Sequence, residues 1–358
     1  MSVFNNPAFD DHEEVVYCSD PETGLKAIIA VHSTALGPAA GGVRMWPYGS
    51  EDEALTDVLR LSRGMSYKNA MAGLALGGGK AVIIGDPKKD KTADLMRAFG
   101  RCVELLGGRY VTAEDVGMSV ADMAHVMEVT RHVTGTSHGV SAAGDPSPYT
   151  AHGVFCGIKA ALAHAYGDDA LAGRSVAIQG LGNVGYNLAR ALHQAGARLV
   201  VADIMADRVS RAVAELAATP ADVKDILYAD VDVLAPCALG AVVNDMSVDR
   251  IKAKIIAGGA NNQLAEDRHG RRLMERGILY APDYVINGGG IMNCSLEFEG
   301  RFVSSAASMA WVEGIAKTLA DIFAAASAQG RPTNEVADEM ARARILKAKE
   351  QKANRAAA

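Results

Sequence analysis

The chain has 358 residues, 49% of them hydrophobic and 22% charged, and a formal net charge of −6. That balance is ordinary for a folded protein and excludes a disordered chain, while the length fits two domains at ~100–200 residues each. The acidic charge argues against nucleic acid as a partner: the basic tail Lys347, Lys349, Lys352 and Arg355 is mixed with Glu350 and reads as a solvated helix.

Residues 10–14, DDHEE, read as an exposed polar stretch rather than a metal site. The β-branched run GLKAIIAVHST (24–34) reads as a strand. Ser50 and Glu53 form a capping box before a helix over about 51–72, with Leu55, Val58, Leu59, Ser62 and Met65 at helical spacing. That helix puts Met65 and Lys68 on one face, one turn apart. GLALGGGK (73–80) follows, then a strand AVIIG (81–85). GGGK is not a P-loop, because Leu74 and Ala81 stand where that loop needs glycine and Ser/Thr. Two readings stay open: the glycines bring the backbone close to something and present Lys80, or they form a flexible turn with a solvent-facing lysine. A helix over about 92–106 and a strand in RYVTAEDVG (109–117), ending in an acidic turn, complete this half.

GTSHGVSAAGDPSP (135–148) reads as the linker, and a helix over about 149–165 follows it. Residues 174–203 then give strand, glycine-rich turn, helix and strand. Gly180, Gly182 and Gly185 fit G-x-G-x-x-G after the run Val176–Ile178, and the second strand ends at Asp203, 18 residues after Gly185. In that setting the first glycine allows the tight turn, the second admits a pyrophosphate and the third lets helix and strand pack closely. The helix N-terminus supplies N–H donors to the phosphates. A carboxylate at Asp203 accepts from a ribose 2′-hydroxyl and repels a 2′-phosphate, which favours NAD over NADP; Arg208 nearby tempers that preference. Strands VDVLAPC (231–237), KIIAGGA (254–260) and ILYAPDY (278–284) end in small or amide residues: Ala238-Leu239-Gly240, Asn261-Asn262 and Asn287–Gly290. Helices over about 303–328 and 334–352 close the chain, the last returning to the first domain.

Three side chains of the first half can do chemistry: Lys68, Lys80 and Asp115. One lysine can hold a carboxylate by charge, while a second, shielded beside it, gives up its proton more readily and serves as a general base. Asp115 can relay a proton. That set suits oxidative deamination of an amino acid. His32 and His152 read as ordinary structural residues. Neither a disulfide framework nor a metal site is indicated, since Cys18, Cys102, Cys156, Cys237 and Cys294 form no C-x-x-C pair. No apolar run reaches ~18 residues and no basic, apolar leader opens the chain, so a cytoplasmic protein with no membrane segment is expected.

The segments LGPAAGGVRMWPY (36–48), RLSRGMSYKNAMAGLALGGGKAVIIGDPKKDK (60–91), GRYVTAEDVG (108–117), GDPSPYTAHGV (144–154), QGLGNVGYNL (179–188), APCALGA (235–241), GGANNQL (258–264) and ILYAPDYVINGGGI (278–291) carry a family resemblance. Through them the chain resembles the glutamate/leucine/phenylalanine/valine dehydrogenases, most closely the leucine enzymes, over about residues 12–346. The resemblance implies a two-domain α/β fold. An N-terminal α/β substrate and oligomerisation domain would span 1–134 with the C-terminal helix 331–358, and a Rossmann-type NAD-binding domain would span 135–330. It implies that Lys80 is the base that activates water, that Lys68 binds the substrate α-carboxylate with help from Gly41 and Gly42, and that Asp115 handles the amino group. The cofactor would lie on Gly180, Leu181, Gly182, Asn183, Val184, Gly185, Asp203, Arg208, Thr150, Ala238 and Asn261, with Asn261 also near the substrate. The implied reaction is hydride transfer from Cα to nicotinamide, attack of water on the iminium, and collapse to a 2-oxo acid and ammonia. Activity would rise in alkaline conditions, and two domains would close over a cleft.

The side-chain pocket would be Ala40, Met65, Ala113, Ile291 and Cys294, apolar and without a cation for a side-chain carboxylate. Ala40 resembles the phenylalanine enzymes, whereas Ala113 and the MWPY segment resemble the leucine enzymes. A branched-chain substrate is therefore expected, with an aromatic or broad hydrophobic one as the alternative. A non-catalytic NAD sensor on this fold would lack one of Lys68, Lys80 and Asp115, and all three are present. The resemblance also implies a homo-octamer.

Overall fold

The computed structural model describes residues 2–134, 145–298 and 304–357. The chain divides into two compact units, one of residues 1–144, 294–302 and 341–358, the other of residues 145–293 and 303–340. The expected linker lies outside the described residues as far as 144, and the chain is helical from Ser147.

In the first unit the elements run β1 (Glu14–Asp20), β2 (Leu25–Ser33), β3 (Ala39–Ala40), β4 (Val43–Trp46), α1 (Glu51–Met71), β5 (Gly77–Ile84), α2 (Ala93–Leu105), β6 (Tyr110–Val111) and α3 (Val120–Met127). They form a six-stranded mixed sheet in the order β1-β2-β5-β3-β6, with β4 also paired to β5. Strands β1 and β2 are antiparallel neighbours, as are β2 and β5, whereas β3 and β4 run parallel to β5. Both faces of the sheet are covered. Alternation along β2 sends Ile28 and Ala30 to the α1 side with Leu55, Val58 and Leu59, and Ile29 and Val31 to the α2 side with Phe99 and Met96. This explains why the β2 sequence is apolar without interruption. Strand β1 was not expected. It is an edge strand whose alternate residues are exposed, so its hydrophobic pattern is thin.

Helix α1 starts at the predicted cap but with half of the capping box: Ser50 Oγ accepts from Glu53 N at 3.1 Å, while Glu53 Oε2 accepts from Gly49 N at 2.8 Å instead of from Ser50 N. The turn reading of GGGK is wrong. Gly77, Gly78 and Gly79 are strand residues at the start of β5, and Lys80 is buried. The glycines are there for space. A Cβ on Gly77 would lie 2.0 Å from Ser33 O, on Gly78 2.0 Å from Ser66 N, and on Gly79 2.7 Å from the Tyr110 ring. Asn69 Nδ2 donates to Gly77 O at 2.6 Å and ties α1 to the same stretch. The DDHEE segment is also not wholly exposed. His12 is buried, with Nε2 3.0 Å from both Leu59 O and Ser62 Oγ, and His32 is buried with Nδ1 2.7 Å from Ser66 Oγ.

The second unit runs α4 (Ser147–Tyr166), β7 (Ser175–Gln179), α5 (Asn183–Gln194), β8 (Arg198–Ala202), α6 (Ala206–Leu216), β9 (Thr219–Pro220), β10 (Val233–Pro236), β11 (Ile255–Ile256), α7 (Arg268–Glu275), β12 (Leu279–Tyr280) and α8 (Asp283–Ile286). Helices α9 (Gly289–Phe298), α10 (Ser305–Val312), α11 (Gly314–Gln329) and α12 (Thr333–Ala357) follow. The sheet order is β12-β11-β10-β7-β8-β9, parallel throughout. The strand order reverses between β7 and β10, so the crevice at their carboxyl ends is the place for a ligand. The buried side chains Ala177, Leu234, Val243, Ile256 and Leu273 fill one side of this sheet.

Three expectations change here. The strand expected over 278–284 stops before Pro282, and Asp283–Ile286 is helical, so Asn287 ends a helical turn rather than a strand. The single helix expected over about 303–328 is two, α10 and α11, meeting at Glu313 and Gly314. Glycine is a poor helix residue, which suits a break there. Helix α12 contributes to both units, with the division at residue 341 rather than at its start. No described helix is long and apolar enough to cross a membrane.

Gly78→Ala forces a methyl into the α1 backbone, which cannot yield by rotating a side chain. The variant should lose at least ~2 kcal/mol of stability, read as a lower urea midpoint with an unchanged slope. An unchanged midpoint would show that α1 and β5 have slack between them.

Candidate active site

Lys80 is the fourth residue of β5, and alternation puts it on the α1 face with Gly78 and Val82. Its side chain is only 8% exposed, and Nζ lies 2.8 Å from Asp115 Oδ2. Asp115 follows β6. The same oxygen accepts from Arg44 Nε at 3.2 Å, and Arg44 Nη1 reaches Asp57 Oδ2 at 2.9 Å. Tyr48 donates its hydroxyl to Asp57 Oδ2 at 2.6 Å. Burial pushes the Asp115 carboxyl up, but Lys80, Arg44 and the Val116 amide outweigh it and hold the group below the usual carboxylate range.

Gly41 and Gly42 connect β3 to β4 beside this group. Gly41 N donates to Val111 O at 3.1 Å, and Tyr110 donates its hydroxyl to Gly41 O at 2.7 Å. What these two residues supply is therefore room. A Cβ on Gly41 would sit 1.8 Å from Gly79 O and 3.1 Å from Met65 Cγ; on Gly42 it would sit 2.6 Å from Glu114 O and 2.9 Å from Asp115 Cβ. Ala40 pairs with Gly78 and Val111, and Ala113 O accepts from Val43 N at 2.8 Å. Thus Ala40, Gly41, Gly42, Met65, Lys80, Ala113 and Asp115 come together within the first unit. Lys68 is half-buried, three residues after Met65 on α1.

In the second unit the glycine motif has the expected geometry. Gly180 has φ +94°, and its N–H donates to Ala202 O at 2.8 Å. Gly185 packs on it, where a Cβ would meet Gly180 O at 1.9 Å. Gly182 caps α5 and is open: a Cβ there would find one neighbour, Arg208 Nη1, at 3.9 Å. Asn183 and Val184 begin α5. Asp203 accepts from Leu181 N at 2.6 Å and Met205 N at 2.8 Å, with Arg208 Nη1 at 3.6 Å. Burial pushes its carboxyl up, yet these donors hold it below the usual range, so Asp203 carries its negative charge at neutral pH. Space above Gly182, an anion-ready helix end and a fixed carboxylate fit a dinucleotide.

Ala238 lies against Gly180 at 2.7 Å from the position of its missing Cβ. Asn287 Nδ2 donates to Asn261 Oδ1 at 2.7 Å, so the two amide segments do meet although one follows a helix. Thr150 sits in the first turn of α4, where Gly290 packs on its hydroxyl and Thr150 Oγ1 donates to Pro146 O at 3.2 Å. Four residues on, Val154 reaches Gly259 together with Val184 and Cys237. Ile291 and Cys294 are half-buried on α9; Ile291 counts with the second unit and Cys294 with the first.

Comparison with known proteins agrees with this layout. The model of the Glu/Leu/Phe/Val dehydrogenase dimerisation domain matches residues 12–132, and that of the glutamate/leucine/phenylalanine/valine dehydrogenases matches 145–207 and 201–353. The chain belongs to the Glu/Leu/Phe/Val dehydrogenase family. It is 52% identical over 345 residues to the leucine dehydrogenase of Geobacillus stearothermophilus, which covers 96% of this chain and 94% of that one. It is 46% identical over 340 residues to the phenylalanine dehydrogenase of Bacillus thermotolerans, covering 94% and 88%. Its fold matches the crystal structure of L-tryptophan dehydrogenase from Nostoc punctiforme with a TM-score of 0.84 and 43% identity, covering 94% and 97%. The chain is an amino-acid dehydrogenase, an oxidoreductase whose family works with a nicotinamide dinucleotide.

Arg44, Tyr48 and Asp57 were missed from the sequence. Arg44 and Tyr48 lie inside the quoted segment 36–48, but nothing in that run says that Arg44 reaches Asp115, 71 residues away. The only local signal was an arginine placed directly after the two glycines and Val43.

Because the folded Asp115 carboxyl titrates below its unfolded value of ~3.9, it contributes stability that is complete above that value and is lost as pH falls through the lower folded one. Wild-type stability should therefore fall more steeply than that of Asp115→Asn between about pH 5 and pH 2 in urea titrations. Parallel curves would show that Asp115 is not held ionised by its partners.

Proposed function

We propose that the chain catalyses the reversible, NAD-dependent oxidative deamination of a branched-chain L-amino acid, leucine with valine and isoleucine, to the 2-oxo acid and ammonia. The observation that carries the residue roles is the buried Lys80 ammonium held 2.8 Å from Asp115 directly after the glycine run of β5. The substrate class rests on the leucine dehydrogenase relative and on the apolar set Ala40, Met65, Ala113, Ile291 and Cys294, which offers no cation to a side-chain carboxylate.

In this reading Lys68 binds the α-carboxylate beside the β3–β4 connection, where Gly41 and Gly42 let the backbone close on Gly79 and Asp115. Asp115 takes the proton of the α-ammonium, so that the free amine can release hydride from Cα. A dinucleotide held by Gly180–Gly185, Asp203, Thr150, Ala238 and Asn261 supplies the hydride acceptor. Lys80, having given its own proton to solvent before this step, then acts as general base on the water that attacks the iminium carbon; the carbinolamine loses ammonia as Asp115 returns a proton to the nitrogen and takes the hydroxyl proton. Asp203 supports NAD: its charge suits a ribose hydroxyl and opposes a phosphate, and Arg208 is engaged with Asp203 itself.

Ala40 leaves space that a larger side chain can use, and the phenylalanine dehydrogenase relative keeps an aromatic substrate as the second reading. One methylene in such a pocket is worth only ~1–3 kcal/mol, so preference within the branched set should be shallow. The reading includes a homo-octamer, to be weighed by light scattering. It also includes a cytoplasmic location, with which cysteines that carry no disulfide among the described residues agree.

Initial rates with NAD and with NADP over leucine, valine, isoleucine and phenylalanine test the substrate and the cofactor. Leucine with NAD should give the highest kcat/KM; phenylalanine ahead by severalfold would replace the branched-chain assignment. Lys80→Ala should lower kcat by ~10²–10⁴ in protein that still folds by circular dichroism, with a lower melting temperature because Asp115 loses a buried partner. Full activity in that variant would remove Lys80 as the base.

A further inference from the structure

The geometry points to Arg44 as a positioning residue that keeps the Asp115 carboxyl oriented while Lys80 loses and regains its proton. This inference rests on the roles proposed above for Lys80 and Asp115. Arg44 sits on β4 with its backbone opposite Val82 of β5, two residues beyond Lys80. Its guanidinium is only 24% exposed and spans two carboxylates, Nε to Asp115 Oδ2 and Nη1 to Asp57 Oδ2. Lys80 Nζ uses that same Asp115 oxygen. Two cations therefore share one carboxylate oxygen, and only one of them can change its charge.

Guanidinium does not deprotonate in proteins, and its planar fork fixes direction as well as charge. With Lys80 as the sole partner, the Asp115 carboxylate would lose its counter-ion at the step where Lys80 becomes a neutral base. It would then be free to turn. Arg44 prevents that by its bond to Oδ2, which holds whether or not the other oxygen carries the proton taken from the substrate amine. It is in turn held from behind by Asp57 of α1, whose carboxylate also receives the Tyr48 hydroxyl. Tyr110 of β6 and Glu114 beside Asp115 are further titratable groups here, as is Lys68 on the proposed roles; the Tyr110 hydroxyl is committed to Gly41 O. Arg44 does not need to touch the substrate to act.

The test uses the full-length enzyme with Arg44→Gln, Arg44→Lys and Lys80→Ala, each followed by kcat, KM and kcat/KM across pH, and by melting temperature. Removing a fixed cation from the group of Lys80, Asp115 and Asp57 makes proton loss from that group harder. In Arg44→Gln, kcat should fall at least tenfold, KM for the amino acid should change less than threefold, and the pH of half-maximal kcat/KM should move up by about half a unit or more. Arg44→Lys keeps the charge but not the fork, so its profile should stay at the wild-type pH while kcat recovers only in part. A wild-type profile in Arg44→Gln, with kcat and KM changed together, would overturn the inference. If Arg44→Gln does not fold, a displaced profile in Arg44→Lys would overturn it equally. Lys80→Ala separates the two levels. An active Lys80→Ala would sink the proposed roles and this inference with them. An inactive one beside an unmoved Arg44→Gln profile would sink this inference alone.

Discussion

The first unit depends on how closely α1 lies on the start of β5. Ser66 of the helix occupies the volume that a side chain on Gly78 would need, and Tyr110 occupies that of Gly79. A run of three glycines costs strand stability, since glycine has no side chain to pack and the most backbone freedom to lose. Here that cost is offset by a buried helix–strand contact, by the Asn69 bond to Gly77 O, and by the residues that follow: Ala81, Val82 and Ile83 are fully buried. The strand therefore enters the sheet narrow and leaves it wide, and Lys80 stands where it changes.

That placement explains the polar cluster that surrounds Lys80. A lysine at this point of a covered sheet is buried, and a buried ammonium needs a carboxylate with good geometry. Asp115 is brought to it by the short strand β6, and Gly42 lets the β3–β4 connection pass within contact of the Asp115 Cβ. The same constraint recurs in the second unit, where Gly185 lies on the carbonyl of Gly180 and Asp203 receives the Leu181 amide. In both units glycine brings backbones together, and a carboxylate fixes the position that results.

Much of this was legible in the sequence wherever a local rule acts. The α1 cap at Ser50, the glycine motif before α5 and the apolar strand β2 each follow from residues within a few positions of one another. What stayed hidden depended on distant partners. GGGK looks like a turn because three glycines usually make one, and only Ser66, Ser33 and Tyr110 show why a strand needs them. His12 looks exposed among acidic residues, and only Leu59 and Ser62 reveal that it is buried. The helical turn after β12 follows Pro282, which tolerates a helix start as readily as it ends a strand. Arg44 was invisible for the same reason: its partners are 13 and 71 residues away.

The charges of the first-unit cluster carry the argument one step further. Lys80 and Arg44 are matched by Asp57 and Asp115, so the group is formally neutral while Lys80 is protonated. On the proposed roles, Lys80 enters the reaction as a neutral amine and Asp115 takes the ammonium proton, so the cluster is neutral while the substrate carries an iminium cation, and in a site shielded from water it does not oppose that cation. Lys80 then takes its proton from the attacking water, and Asp115 returns the other as ammonia leaves. A cluster with Lys80 and Asp115 alone has the same sum but only one ion pair, and it loses its geometry together with its charge. The pair of Arg44 and Asp57 adds no net charge. It keeps the carboxylate in place through both states, which is what a reversible reaction needs from the residues that do not themselves react.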